Sequence, residues 1–479
     1  MSRRALLFLF LFIPLVSFSQ EKSFRIFLAD SAMEHASVSF CVIDAYSGNS
    51  IFEYNPDKSL IPASILKLVT SSASLEMLGP DHTFKTSVGY TGSLNRRSGK
   101  LVGDIIIKGG GDPALGSDRF NNYYAGFSEK WVAEINKLGI KKINGRVITD
   151  DSYYDYLPVP AKWLWEDAGN YYGAGAYGLS VFDNTYEIHF RTSPDSLKQL
   201  ITGITPEECR FEFTNWLVAA GTTDKGNIFA APYSTNGWIA GSIPVSPEDH
   251  VLKASIADPP LIMAKVIDQK LRSSGIFVTG KPTTTRLMQS PVIGVFNPVA
   301  DIVSPPLKDI VDSLNHESVN LYAEHLAKEM GKVFRNTGST ESGIEVIKEF
   351  LSGTGINIEG MFIEDGSGLS PLDAVNSRAM TGLLFYMRNK GKYFSEFYSS
   401  LPEAGKEGTL KNHFSDPMFE GRMRAKSGSM TRVRSYAGYL TTISGKNLIF
   451  CIIVNNFRGP SGEIIARIEE ILKETIQNN

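Results

Sequence analysis

Ser64 and Lys67 stand at i and i+3 in the stretch IPASILKLVT, residues 61–70. On a helix this spacing puts both side chains on one face, with Cβ atoms about 5–6 Å apart. A serine hydroxyl is a weak nucleophile until a neighbouring base takes its proton. A lysine amine becomes such a base when burial or a second cation lowers its pKa. Pro62 and Ala63 open the helix, so Ser64 falls in its first turn. Free backbone N–H groups and the helix dipole favour a developing negative charge there. The chemistry on offer is acyl transfer through a serine ester. By itself the pair says little: SQEK, residues 19–22, repeats the spacing, and a helix start with an exposed lysine has the same signature.

Two further motifs supply the groups that such chemistry needs. Ser318-Val319-Asn320 lies near the start of NHESVNLYAEHLAKEM, residues 315–330, which reads as a helix with Leu321, Leu326 and Met330 among its apolar positions. Ser-x-Asn also occurs at Ser47, Ser93 and Ser234, but in turn-rich segments where both residues are expected. Lys426-Ser427-Gly428 is the chain's only Lys-[Ser/Thr]-Gly, just before a strongly patterned hairpin in RAKSGSMTRVRSYAGYL, residues 424–440. A strand edge there offers backbone groups to an extended peptide. Gly428 lets a substrate backbone approach closely. Lys426 and Ser427 suit a terminal carboxylate, and the N–H groups of Ser429 and Ser64 suit an oxyanion. The order of the three motifs matches the serine acyl-transferases that handle penicillin.

These groups need a scaffold, and the two ends of the chain supply one. SVSFCVIDAYSGNSIFEYN (37–55) and SYAGYLTTISGKNLIFCIIVNNF (435–457) read as strand–turn–strand hairpins. The Ser64 helix runs to about Leu78 and is closed by Gly79-Pro80, and an amphipathic helix covers about Ser461 to Ile476. Hairpins at both ends with helices between them predict one α+β domain made from both termini. The middle, residues 84–285, is strand- and turn-rich with little helical periodicity. The 479 residues suffice for two or three domains. A net charge of −3 gives no basic surplus, so nucleic acid is not an expected partner. MSRRALLFLFLFIPLVSFSQ, residues 1–20, reads as a signal peptide cut after Ser19, too short to span a membrane comfortably, so membrane contact is at most peripheral. Cys41, Cys209 and Cys451 read as buried small hydrophobes, and no metal-ligand spacing occurs. GIFVTGKP (275–282) has Pro282 where a phosphate loop needs Ser or Thr, and reads as a buried strand.

The motif order, with its long insertion between the first two motifs, resembles the low-molecular-mass class C penicillin-binding proteins, the D-alanyl-D-alanine carboxypeptidase/endopeptidases. PASILKLVTSSASLEMLG, KGGGDPAL, INGRVITDDSYYD and EDGSGLS look like stretches of that family. The resemblance implies a β-lactamase/DD-peptidase-type domain, with an antiparallel five-stranded sheet and flanking helices, plus nested β-rich inserts. It divides the chain into a signal peptide at 1–19, a peptidase domain at 20–83 and 286–479, an inserted domain at 84–152 and 236–285, and a domain nested inside that at 153–235. It makes Ser64 the acylated nucleophile and Lys67 its base. By the same resemblance Ser318 relays a proton, Asn320 positions the substrate amide, and Lys426 supports the relay and the substrate carboxylate. Ser427, Gly428 and Ser429 bind substrate, with Ser427 standing where the family usually has threonine. Asp365 and Ser367 are candidates for the wall of the site. The implied substrates are peptidoglycan stem peptides and cross-links, with β-lactams as covalent inhibitors, no cofactor, and a periplasmic location. The rivals are a β-lactamase or D-amino-acid esterase of the same fold, and a non-catalytic peptidoglycan-binding module.

Overall fold

The computed structural model describes residues 20–192, 200–209, 212–245 and 249–479; the proposed signal peptide lies outside them. Both chain ends meet in one antiparallel sheet of five strands. Its order is Met423–Met430, Val433–Thr441, Asn447–Asn455, Ser37–Asp44, Ser50–Tyr54. Side chains of a strand alternate between faces, and here both faces are covered. Phe40, Val42, Ile452 and Val454 enter a core with Phe24 and Phe27 of helix Gln20–Ala29 and Ile468 and Leu472 of helix Ser461–Asn478. Cys41, Ile43, Cys451 and Ile453 enter the opposite core with Leu68 and Val69 of helix Lys67–Leu78 and Leu326 and Met330 of helix Asn320–Arg335. Double coverage explains why the two central strands read as unbroken apolar runs. Cys41 faces Cys451 across the ladder; both thiols are free and buried.

The inserted stretch builds four smaller sheets. One orders Thr283–Thr284, Val147–Asp150, Ile105–Lys108, Lys85–Tyr90 and Asn297–Val303. Its last strand lies beyond residue 286, where the sequence reading returns to the peptidase domain. The strands Asn236–Ile243 and His250–Ser255 likewise lie outside 153–235, yet they pair with Glu212–Ala219 and Thr185–Arg191. A two-residue period announces a strand but not its neighbour, so partners cannot be read locally. Among the described residues, two helices of more than ten residues also stand in the stretch described above as poor in helical periodicity. Phe127–Lys137 buries Phe127, Trp131 and Ile135, spaced at i, i+4 and i+8. Pro259–Ser273 has Asp258 as N-cap and prolines at its first two positions.

The insert grips helix Asn320–Arg335 along its length. The Tyr322 hydroxyl donates to Asp183 at 2.7 Å, and the Tyr154 hydroxyl to Glu329 at 2.9 Å. The fully buried Lys328 donates to Asp155 at 2.6 Å and to the Leu157 carbonyl at 2.8 Å. His325 Nδ1 lies 2.9 Å from the Gly111 carbonyl, which can only accept, so Nδ1 carries the proton. Its Nε2 then accepts from Ser180 Oγ at 2.8 Å.

Candidate active site

Ser64 sits in a 3₁₀ turn, Ala63–Leu66, that runs directly into helix Lys67–Leu78. The turn is held from outside the helix. Ser435 Oγ donates to the Pro62 carbonyl at 2.5 Å, while Asn455 bonds both polar backbone atoms of Ile61. Ala63 has φ +48°, a left-handed conformation that costs a non-glycine residue about 1–2 kcal/mol and persists only where its surroundings fix it.

Lys67 is fully buried one turn beyond Ser64. Its Nζ lies 2.9 Å from Ser64 Oγ, 2.5 Å from Asn320 Oδ1 and 2.7 Å from the Ser367 carbonyl. The last two oxygens can only accept. A neutral amine satisfies them with its two hydrogens and turns its lone pair to the Ser64 hydroxyl, which is the arrangement of a base. Burial lowers Lys67 to about 8, against the pull of Asp365, Glu324 and Asp373, which favour its charged form.

The sequence reading ran one helix through residues 315–330. The chain instead ends one helix at His316 and starts the next at Asn320. Ser318 lies in the tight connection at φ +61°. That turn aims Ser318 and Asn320 into the same space: Asn320 reaches Lys67, and Ser318 Oγ accepts from Lys426 Nζ at 2.9 Å. Asn320 Nδ2 donates to the Tyr172 carbonyl at 2.8 Å, a contact from the inserted stretch.

Lys426 is on the edge strand of the sheet, and it is fully buried. Burial, and then the charge of Lys67, lower its pKa strongly. Its amine points at Ser318, the relay group that the resemblance has it support. Ser427, on the alternate face, opens to the cleft and donates to Thr409 Oγ1 at 2.8 Å. Gly428 also makes a close approach within the protein. A Cβ there would stand 2.5 Å from the Pro62 carbonyl and 3.1 Å from the Ser64 nitrogen, so the missing side chain lets the strand press against the Ser64 turn.

Ser64, Ser318, Asn320, Ser427, Gly428 and Ser429 line one cleft of about 810 Å³, with Lys67 and Lys426 beneath it. Thr409 and Arg434 line it too; neither stands in a motif that spacing could reveal. Asp365 and Ser367 are not in its wall. Asp365 is fully buried and accepts the N–H groups of Ser367, Gly368, Leu369 and Ser370, together with Trp163 Nε1 at 2.6 Å. This fixes the loop whose Ser367 carbonyl meets Lys67. Behind it, Glu324 accepts from the Gly366 N–H, and burial raises its pKa. Asp373 is raised to about 10 by burial and by Asp365.

The sheet, its flanking helices and the buried Ser–Lys pair fit a serine hydrolase. Residues 20–474 match the profile of the D-Ala-D-Ala carboxypeptidase 3 (S13) family. The chain belongs to that family, and its activity is that of a D-Ala-D-Ala carboxypeptidase. A D-alanyl-D-alanine carboxypeptidase of an Actinomadura species is 28% identical over 451 residues, covering 91% of this chain and 80% of the relative. A D-alanyl-D-alanine carboxypeptidase of Haemophilus influenzae is 24% identical over 459 residues, 93% of this chain and 91% of the relative. The crystal structure of penicillin binding protein 4 from H. influenzae has the same fold, with a TM-score of 0.77 at 23% identity over 92% of this chain and 95% of that one.

Proposed function

We propose that the cleft hydrolyses the terminal D-Ala-D-Ala bond of peptidoglycan stem peptides, and the equivalent bond of cross-links, through an acyl-enzyme on Ser64. The observation that carries this is the Lys67 amine, its two acceptors fixed and its remaining position on Ser64 Oγ. Neutral Lys67 takes the Ser64 proton as Oγ attacks the penultimate D-Ala carbonyl. The N–H groups of Ser64 and Ser429 stabilise the oxyanion. Lys426 donates to Ser318 Oγ, which leaves the Ser318 proton free for the departing amine; the proton that Lys67 took from Ser64 then returns to Ser318, and Lys67 is neutral again for the hydrolytic step. Asn320 holds the substrate amide, and Ser427, with Thr409 and Arg434 beside it, receives the terminal carboxylate. Water then cleaves the ester.

The ladder pairings support a peptidase domain made from both ends of the chain. They support an inserted unit that extends to about residue 303, around a nested unit that extends to about residue 255. A periplasmic location rests on the composition of residues 1–20.

The test is intact mass after incubation with benzylpenicillin, followed by peptide mapping. The expected result is one stable adduct on Ser64, absent from a folded Ser64→Ala variant. Full labelling of that variant overturns the assignment, and rapid loss of the antibiotic without an adduct indicates a β-lactamase.

A further inference from the structure

The small sheet formed by Glu212–Ala219, Asn236–Ile243 and Asn227–Phe229 has one buried and one open face. Leu217, Ile228 and Ile239 point inward and are buried. Side chains alternate, so Trp216, Trp238 and Phe229 point outward. Trp165, from the loop before, lies on the same face. Phe229 and Trp238 stack at 5.4 Å with an interplanar angle of 16°. The Trp165 ring is 5.1 Å from Phe229 and 5.3 Å from Trp238, and Trp216 is 6.2 Å from Trp238. Trp165 and Trp216 remain 62% and 60% exposed. Three of the chain's five tryptophans are thus placed on an outer surface rather than in a core, and a contiguous exposed patch of this kind marks a binding site.

This face continues the catalytic cleft. Leu164 and Glu166, on either side of Trp165, line the cleft, as does Asn227, two residues from Phe229 and on the same side of its strand. A ligand running out of the cleft at this rim meets the aromatic rings next. Flat, tilted and stacked rings with carboxylate and amide groups at the margin suit pyranose sugars. Their C–H faces pack on aromatic rings while their hydroxyl and acetamido groups bond to polar neighbours. Glu166 and Asp167, at the cleft edge of the patch, would repel an anionic membrane surface. The cleft's substrate also brings a sugar close. A stem of four residues spans at most about 14 Å when extended, so the glycan end of a bound stem lies at the rim of the cleft.

We propose that the face made by Trp165, Trp216, Phe229 and Trp238 is a glycan subsite. It takes the N-acetylated hexosamine chain of the polymer whose stem peptide enters the Ser64 cleft. This rests on the carboxypeptidase reading of that cleft. The protein therefore selects stems still attached to glycan over free peptides.

The test uses the full chain, peptide-free N-acetylglucosamine oligomers, and two substrates: a free pentapeptide stem and the same stem on a disaccharide. Titration with the oligomer is expected to change tryptophan fluorescence and to saturate. The wild type is expected to have the higher kcat/KM on the glycan-linked stem. Trp216→Ala with Trp238→Ala is expected to weaken oligomer binding by at least about tenfold. The double variant should also lose the preference for linked stem, with free-stem hydrolysis and penicillin labelling unchanged. The proposal is overturned if the wild type ignores the oligomer, or if the double variant retains its preference. It is equally overturned if both substrates suffer alike with labelling lost, which makes the tryptophans structural; Trp216→Ala alone then separates folding from binding, since a folded single variant with intact oligomer affinity also overturns it. A wild type that hydrolyses neither substrate strikes the carboxypeptidase reading instead.

Discussion

Gly428→Ala tests how tightly the edge strand sets Ser64. The added methyl group would stand 2.5 Å from the Pro62 carbonyl oxygen, where ordinary contact begins at 3.4 Å. The gap must therefore open by about 0.9 Å. Ser435 Oγ, which bonds the same carbonyl, can rotate away; the Pro62 carbonyl is backbone and cannot. The movement falls on residues 62–64, so Ser64 Oγ and its N–H shift against Lys67 and the Ser429 N–H. A misplacement of about 1 Å in a reacting group costs on the order of a hundredfold in rate. Overpacking costs stability by about 1–3 kcal/mol, a minor loss for a core of this size. The expected outcome is benzylpenicillin acylation slowed about a hundredfold with a small fall in Tm. Gly428→Ala combined with Ser435→Ala removes one of the two clashes. It should recover part of the Tm and little of the rate. Acylation at the wild-type rate in the single variant would refute the reasoning, because the strand would then not be what positions the turn.

Three further outcomes follow from the buried groups around the cleft. With Lys67 at about 8 and needed neutral, the acylation rate should rise about tenfold from pH 6 to pH 7 and flatten above about 8; a rate flat across that range excludes Lys67 as the base. Trp163→Phe removes one donor from Asp365 and leaves four. It should cost about 1.5–3 kcal/mol, read as a lowered Tm, and slow acylation through the Ser367 carbonyl, whereas an unchanged rate would detach the loop from Lys67. His325 is held neutral, with its pKa lowered to about 3 by burial. The unfolded chain binds this proton below about 6.5, so His325 contributes stability that is present above that pH and lost as pH falls toward 3. Between pH 6.5 and 5 the loss is about 2 kcal/mol. His325→Gln should show a shallower decline of Tm with acid, and an identical slope would mean that other groups set it.

The parts legible in the sequence are those that repeat. The short apolar runs SVSFCVID and LIFCIIV, each beside a turn signal, gave two strands, and double-sided burial matches their apolarity. Ser64 and Lys67 could be paired because a helix fixes what lies at i+3. Ser318 was placed inside a helix because nothing local announces its φ of +61°; a glycine would have, but a serine held there by tertiary contacts does not. Asp365 was visible as a turn residue in EDGSGLS, yet no pattern tells whether its carboxylate faces the cleft or the interior. Thr409, Tyr172 and Trp163 are brought to the site by chain crossings whose partners no local period encodes. Gly428 was legible as a close approach, but its contact with the Ser64 turn depends on a chain crossing that no local pattern encodes.

The inserted stretch is not an attachment to a finished peptidase domain. Helix Asn320–Arg335 presents Tyr322, His325, Lys328 and Glu329 to it, and each finds its polar partner there. Lys328 is fully buried, and a buried ammonium without its counter-charge costs about 3–5 kcal/mol. Asn320 opens the same helix and bonds the insert at Tyr172, while Trp163 secures the Asp365 loop under Lys67. Removing the insert would thus leave unpaired polar groups along the helix that carries the second motif, and would free two of the three motifs from their supports. The sheets are separable on the map of strand pairs, but the hydrogen bonds that hold Asn320 and the Asp365 loop against Lys67 cross the boundary between them. In this protein the insert and the terminal-derived domain are one energetic unit at the site.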